Sequence, residues 1–141
     1  MKVSYKSKYK ISECPKINSS DQVYPIWLEN WDTDQIEFVE QFKVMLLNRA
    51  NRVIGICNIS TGGVSGTVAD PKVIFVTALK GNANSIILAH NHPSGNLNPS
   101  QQDISLTKRL KEAGEFLQLP VLDHMIITPN GYYSFADQGL L

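Results

Sequence analysis

The chain begins with a strict alternation. In Val3-Ser4-Tyr5-Lys6-Ser7-Lys8-Tyr9-Lys10-Ile11 apolar or small residues take turns with polar ones. That is the period of a half-buried strand, and lysines suit a sheet edge because charge there discourages pairing with another chain. An edge strand is expected here. The rhythm then changes. Ser19-Ser20-Asp21 opens a helix with Ser as N-cap, and Val23, Ile26 and Trp27 share one helical face. A short acidic helical turn follows over residues 33–39. The apolar runs Phe42-Lys43-Val44-Met45-Leu46-Leu47 and Arg52-Val53-Ile54-Gly55-Ile56-Cys57 are joined by the polar link Asn48-Arg49-Ala50-Asn51, which reads as a β-hairpin. Thr61-Gly62-Gly63-Val64-Ser65-Gly66 lacks the Gly-Lys-Ser/Thr of a phosphate-binding loop, so its glycines are assigned to a turn or bulge.

Asp70-Pro71 starts the next helix, Asp as N-cap and Pro at the first helical position, and it runs through Val73-Ile74-Phe75-Val76-Thr77-Ala78-Leu79 to a stop at Gly81-Asn82. Ser85-Ile86-Ile87-Leu88-Ala89 is short and wholly apolar, as a strand buried on both faces must be. Ser100 caps a helix whose apolar-side positions are Ile104, Thr107, Leu110, Ala113, Gly114 and Leu117. A second hairpin places residues 121–128 and 132–135 around Pro129-Asn130-Gly131. Strands alternating with helices, plus two antiparallel hairpins, predict a mixed-sheet α/β sandwich.

With 141 residues there is room for about one domain, and a chain of this size buries roughly two-thirds of its unfolded surface. A 43% hydrophobic and 18% charged composition argues against disorder. Thirteen basic and thirteen acidic residues cancel, so no overall field draws the chain to DNA or a membrane. The charges are nonetheless zoned: residues 1–16 carry net +4 and residues 17–40 carry net −6. Two cysteines, Cys14 and Cys57, exclude a disulfide scaffold or a cysteine zinc cluster. Neither a signal peptide nor an apolar run of membrane-spanning length is seen, so a cytoplasmic location is expected.

Chemistry concentrates in Leu88-Ala89-His90-Asn91-His92-Pro93-Ser94-Gly95-Asn96-Leu97-Asn98-Pro99-Ser100-Gln101-Gln102-Asp103. His90 and His92 stand two apart at the end of the buried strand, so both rings can share a face. The loop after them can fold Asp103, in the first turn of the next helix, back over the rings. Two imidazoles and one carboxylate leave a tetrahedral Zn²⁺ with an open fourth position. A purely structural reading also exists: Ser100-x-x-Asp103 is a capping box, which explains both residues without a metal.

The spacing of His90, His92, Ser100 and Asp103 resembles the JAMM (MPN-plus) metalloprotease signature. His90-Asn91-His92-Pro93-Ser94-Gly95, Pro99-Ser100, Asp103, Thr107 and Asp123-His124 resemble, more closely, the RadC family of bacterial JAMM-like proteins. The similarity spans residues 39–139. The resemblance implies a cytidine-deaminase-like α/β/α sandwich of the JAB/MPN type, with residues 1–38 forming an N-terminal strand and helix packed on a RadC-like domain of residues 39–141. It also implies Zn²⁺ on His90, His92 and Asp103, with Glu40 as general base and Ser100 as donor to the oxyanion. Glu37 is the alternative base if the alignment shifts by three. Asn91, Ser94 and Asp123 are candidates for holding the ligand rings, and His124 is assigned to a buried structural pair. Deaminase chemistry is not expected, because its His-x-Glu and Pro-Cys-x-x-Cys ligands are absent.

Three functions compete. A zinc metallopeptidase or isopeptidase would act on an unidentified protein or peptide, using an activated water and Glu40. A non-catalytic module of DNA repair or recombination would hold a repair partner; direct DNA binding rests only on the basic segment 1–16. A structural zinc site would need a fourth protein ligand, for which His124 is the candidate. A sheet edge can take an extended peptide or a second subunit as a homodimer, since both use the same backbone groups.

Overall fold

The computed structural model describes residues 1–63 and 69–141. Its elements in chain order are a single 3-10 turn at Ile11–Glu13, then α1 (Ser20–Glu29), β1 (Gln41–Leu47), β2 (Val53–Thr61), α2 (Pro71–Lys80), β3 (Ser85–Asn91), α3 (Gln101–Phe116), β4 (Val121–Thr128) and β5 (Gly131–Ser134). The strands form one sheet in the order β2-β1-β3-β4-β5. Only β3 and β4 run parallel; the other neighbours are antiparallel. Parallel strands need a crossover, and α3 supplies it. The sheet is mixed, as the pattern predicts.

Alternation along each strand feeds two cores. Met45 and Leu47 of β1, Ile87 and Ala89 of β3, and Met125 and Ile127 of β4 pack under Val23, Trp27 and Trp31. Their neighbours Phe42, Val44, Leu46, Ile86, Leu88 and Val121 pack under Ile74, Phe75 and Ala78 of α2 and Leu110 of α3. The result is three layers, α1 on one face and α2 with α3 on the other. All seven residues of β3 are buried, as a strand between two covered faces requires. Gly114 lets α3 lie close to the start of β4: a Cβ there would meet the Leu119 carbonyl oxygen at 2.6 Å.

Local signals account for the element ends. The Asp70 side chain accepts from Lys72 N, with Pro71 at the first helical position. In the first hairpin Asn48 Oδ1 accepts from Ala50 N and Arg52 N, and Asn51 takes a positive φ of 58°. Ser19 flanks α1 as expected, but its hydroxyl makes no capping bond. Residues 33–38 form consecutive turns, held by bonds such as Ile36 N to Asp32 O. The second strand runs past Cys57 to Thr61, so the expected glycine loop starts later; its residues 64–68 lie outside the described residues.

One expectation fails. No strand forms at Val3–Ile11: Val3, Tyr5, Tyr9 and Ile11 are all exposed, and the segment ends in the 3-10 turn. Alternation says which side of a strand would be apolar, not whether a sheet edge is there to receive it. Among the described residues, this end of the chain meets the sheet only later, through a lone bridge between Lys16 and Arg52. Arg52 also donates to the Cys14 carbonyl at 2.7 Å.

Candidate metal centre

Three elements converge at one end of the sheet. His90 lies on β3, and its register partners are Phe42 on β1 and Ile126 on β4. Period two puts the His90 ring on the α2–α3 face with Leu88, and the Phe42 ring stacks against it at 6.1 Å, 1° from parallel. Glu40 precedes Phe42 by two residues and therefore faces the same way. His92 follows the strand end. Asp103 arrives on the first turn of α3, aimed by the capping box: Ser100 Oγ accepts from Asp103 N at 3.0 Å, and Asp103 Oδ2 accepts from Ser100 N at 2.9 Å.

These side chains meet. His90 Nε2 and His92 Nε2 are 3.0 Å apart, and Asp103 Oδ2 stands 3.4 Å from the first and 3.5 Å from the second. Glu40 Oε1 is 3.8 Å from His90 Nε2. Glu40, His90 and His92 each bring a ligand atom within 4.8 Å of the others, a group that can hold a metal ion. Capping and convergence coexist: the same carboxylate oxygen that closes the helix faces the rings.

Counting protons shows what belongs between these atoms. His92 Nδ1 lies 2.6 Å from the Asn96 carbonyl, which can only accept, so Nδ1 carries the proton and Nε2 presents a lone pair. For His90 the assignment runs through a chain. The Thr107 hydroxyl donates to the Asp103 carbonyl at 2.7 Å. It must therefore accept from His124 Nδ1 at 2.6 Å, which leaves His124 Nε2 as the acceptor for His90 Nδ1–H at 2.8 Å. Burial pushes the His124 pKa well below that of a free imidazole, so its ring stays neutral. His90 Nδ1 is thus the donor to His124, and Nε2 is the nitrogen left to face the centre.

Two imidazole lone pairs and a carboxylate oxygen consequently face one another, an arrangement that repels itself unless positive charge sits in the middle. A proton taken up by the cluster would meet this need. Burial pulls the His92 pKa down, but the Asp103 hydrogen bond, the Asn96 carbonyl and the Asp103 and Glu40 charges outweigh it, and the net shift is upward. For Asp103 burial pushes the carboxyl up, but the His90 and His92 rings, which become donors at Nε2 only on taking up a proton, and the charge that comes with it hold the carboxyl far below the usual range. A divalent cation meets the same need. Donors about 2.0–2.2 Å from one tetrahedral Zn²⁺ stand roughly 3.3–3.6 Å from each other. The observed edges of 3.0, 3.4 and 3.5 Å are close to that triangle.

The remaining candidates separate clearly. Glu37 is exposed on the turn before β1, whereas Glu40 faces the rings. Ser100 is at the rim, and its cap uses an oxygen lone pair and leaves the hydroxyl proton to be donated elsewhere. Ser94 and Asp123 do not hold the ligand rings. Ser94 Oγ accepts from Asn96 N within the loop. Asp123 accepts from His124 N, Ala136 N and Ser134 Oγ, tying β4 to β5 and the segment after it. The ring partners are the Asn96 carbonyl and His124. His124 is not a fourth ligand, because both its nitrogens are engaged by His90 and Thr107. Its burial fits a structural residue, but its partner is the His90 ring and not its acidic neighbour. Asn91 points to the other face and bonds the segment leading to Glu40. Among the described residues no helix is long and apolar enough to cross a membrane.

Comparison with known proteins agrees with this geometry. Residues 17–140 match the family model described as a RadC-like JAB domain. The match begins well before residue 39 and takes in α1, whose Val23 and Trp27 belong to the core. A UPF0758 protein of Flavobacterium johnsoniae is 50% identical over 101 residues, covering 72% of this chain and 44% of that protein. Another, of Alkaliphilus metalliredigens, is 42% identical over 126 residues, 89% of this chain and 53% of that protein. A third, of Porphyromonas gingivalis, is 50% identical over 103 residues, 72% of this chain and 45% of that protein. The chain spans about half the length of these relatives. With a five-stranded mixed sheet between helical layers, a His–Glu–His cluster at its end and a family match over most of its length, the chain belongs to the RadC family through its RadC-like JAB domain.

Proposed function

We propose that the chain is a zinc-dependent hydrolase of the JAMM type that cleaves a peptide or isopeptide amide bond in a protein or peptide substrate in the cytoplasm. The observation that carries the reading is the convergence of His90 Nε2, His92 Nε2 and one Asp103 oxygen, 3.0–3.5 Å apart, while the other nitrogen of each ring is held by His124 or the Asn96 carbonyl. His90 Nε2, His92 Nε2 and Asp103 would hold the metal. A zinc ion so held supplies Lewis acidity and an acidified water. Glu40, on the same face and not engaged in the triangle's closest contacts, takes the proton of the attacking water and returns it to the leaving amine. Ser100 donates its hydroxyl proton to the oxygen that gains charge; a single donor of this kind is worth about 2.7–4 kcal/mol.

The test combines metal analysis with one substitution. The purified protein should contain about one zinc per chain, and Glu40→Gln should keep that zinc while hydrolysis falls about 10²–10⁴-fold on peptide and isopeptide substrates. Full activity in Glu40→Gln would remove Glu40 as base, and a protein that takes up no metal would end the reading. A second reading is a non-catalytic module holding a DNA-repair partner or DNA itself. Its support is the exposed lysine-rich start of the chain with Tyr5 and Tyr9, and it requires a DNA affinity that falls steeply with salt.

A further inference from the structure

The residue between the two histidines points the other way, and its surroundings give it a task. Asn91 is fully buried. Its Oδ1 accepts from Gln41 N at 2.7 Å, and its Nδ2 donates to the Ile36 carbonyl at 2.7 Å and the Val39 carbonyl at 2.9 Å. A primary amide offers two donors and an acceptor oxygen, and both donors and the oxygen go to one short segment of chain. The amide cannot be turned over, because its oxygen would then face two carbonyl oxygens. Two of the three partners, Val39 and Gln41, flank Glu40. The Glu40 carbonyl itself accepts from Gly62 N at 2.9 Å. The backbone on either side of Glu40 is thus tied to Asn91, and Glu40's own peptide to the end of β2.

We infer that Asn91 is a positioning residue for Glu40, through which the strand that presents His90 and His92 also sets where the base stands. The proposal rests on the hydrolase reading only for its kinetic consequence; the positioning itself is a claim about structure. Period two makes it possible. On one strand end, His90 faces the α2–α3 side with the metal triangle, and the next side chain faces the α1 side, where the chain passes from α1 to β1. Other residues do not fill the role. Asp would keep the bond from Gln41 N but set a charge against two carbonyls. Leu would match the shape but leave three partly or fully buried backbone groups without partners, each costly to orphan. Gln would reach too far by one methylene.

Asn91→Ala and Asn91→Asp test this against wild type and Ile127→Val, a core variant beside Asn91 on the same face that weakens packing but leaves the three Asn91 hydrogen bonds in place. Four quantities are read: zinc stoichiometry and affinity, exchange of the Gln41 amide hydrogen, the place of the Glu40 carboxylate in a crystal structure, and kcat and KM below the melting range. Both Asn91 variants should keep zinc affinity within about threefold of wild type. In Asn91→Ala the Gln41 N–H should exchange at least tenfold faster, and in both variants Glu40 should move away from His90. Because displacing a catalytic group by about 1 Å can cost 10²-fold, kcat should fall on that order with KM little changed. Ile127→Val should keep kcat. Wild-type kcat and an unmoved Glu40 carboxylate in Asn91→Ala would overturn the inference. So would equal losses of kcat in Asn91→Ala and Ile127→Val, which would make the effect one of stability. If wild type hydrolyses no amide, the hydrolase reading fails, while Gln41 exchange and the Glu40 coordinates still decide the positioning.

Discussion

His90 Nδ1 lies 2.8 Å from Nε2 of His124, a ring enclosed by Phe135 stacked at 4.8 Å and the edge of Phe42 at 5.4 Å. The direction of this bond is set at its far end, where the Thr107 hydroxyl has one proton and spends it on a carbonyl. Three groups in series therefore decide which nitrogen of His90 is bare.

Breaking that series should weaken metal binding without removing a ligand. Thr107→Val keeps the shape of the side chain but takes away the acceptor that fixes the His124 proton on Nδ1. That proton can then move to Nε2, where it opposes His90 Nδ1–H. His124→Phe packs between Phe42 and Phe135 but leaves His90 Nδ1 without a partner. Loss of such outer contacts costs about 10–100-fold in metal affinity; we expect Thr107→Val near the lower end and His124→Phe near the upper. Competition with a chelator measures the affinity, and ring ¹⁵N shifts report the His90 tautomer. Unchanged affinity in both variants would mean the series does not govern the site.

Ser100 caps α3, and the hydrolase reading adds a second role, donor to the oxyanion, that substitutions can separate from the first. Ser100→Ala removes the cap of α3, worth about 1 kcal/mol and about 3 °C in Tm for a domain of this size, and also removes the hydroxyl donor. Ser100→Asn restores a capping acceptor but not a hydroxyl at the same place. Both should lose about 10²-fold in kcat, while Ser100→Asn recovers most of the Tm. Thermal melts and steady-state kinetics on the two proteins decide it. If activity returns together with Tm in Ser100→Asn, the cap alone explains Ser100.

How much of this was legible in the sequence varies with the range of the interaction. Helix caps and strand periods are local, so α2, β3, α3 and both hairpins can be read from their own residues. The strand expected at Val3–Ile11 fails because a strand also needs an edge, which is not a local property. His90, His92 and Asp103 are legible as a spaced motif. Glu40 is not: Glu37 is equally acidic, and only the register Phe42–His90, fixed by the sheet, puts one carboxylate at the rings and leaves the other in solvent. Adjacency in sequence pairs His124 with Asp123, yet neighbours on a strand face opposite sides. Of His124, the Asp123 carboxylate reaches the backbone N–H and not the ring; the ring finds His90 and Thr107, 34 and 17 residues away. The same rule, applied to His90-Asn91-His92, places Asn91 on the face away from the two rings, towards the segment that carries Glu40.

Proton and cation should compete for the same centre, and the sign can be worked out. The folded-state pKa of His92 is raised, so holding the proton stabilises the metal-free fold. That contribution is complete below the unfolded value of about 6.5 and is lost as pH rises through the raised folded value. Asp103 is shifted downward, so its contribution is present above about pH 3.9 and is lost only as pH falls through its depressed folded value. The metal-free protein should therefore draw most from this cluster between about pH 4 and 6.5 and lose His92's share above it. Zinc bound there would replace the proton, so its affinity should rise with pH by up to about tenfold per unit below the His92 pKa and level off above it. Melting curves from pH 5 to 8.5, with chelator and with excess zinc, should diverge as pH rises. The difference between wild type and His92→Gln isolates the one group from the rest of the titrating surface. A metal-free wild type whose Tm advantage over His92→Gln does not shrink above pH 6.5, or a zinc affinity indifferent to pH, would show that proton and metal do not share the site.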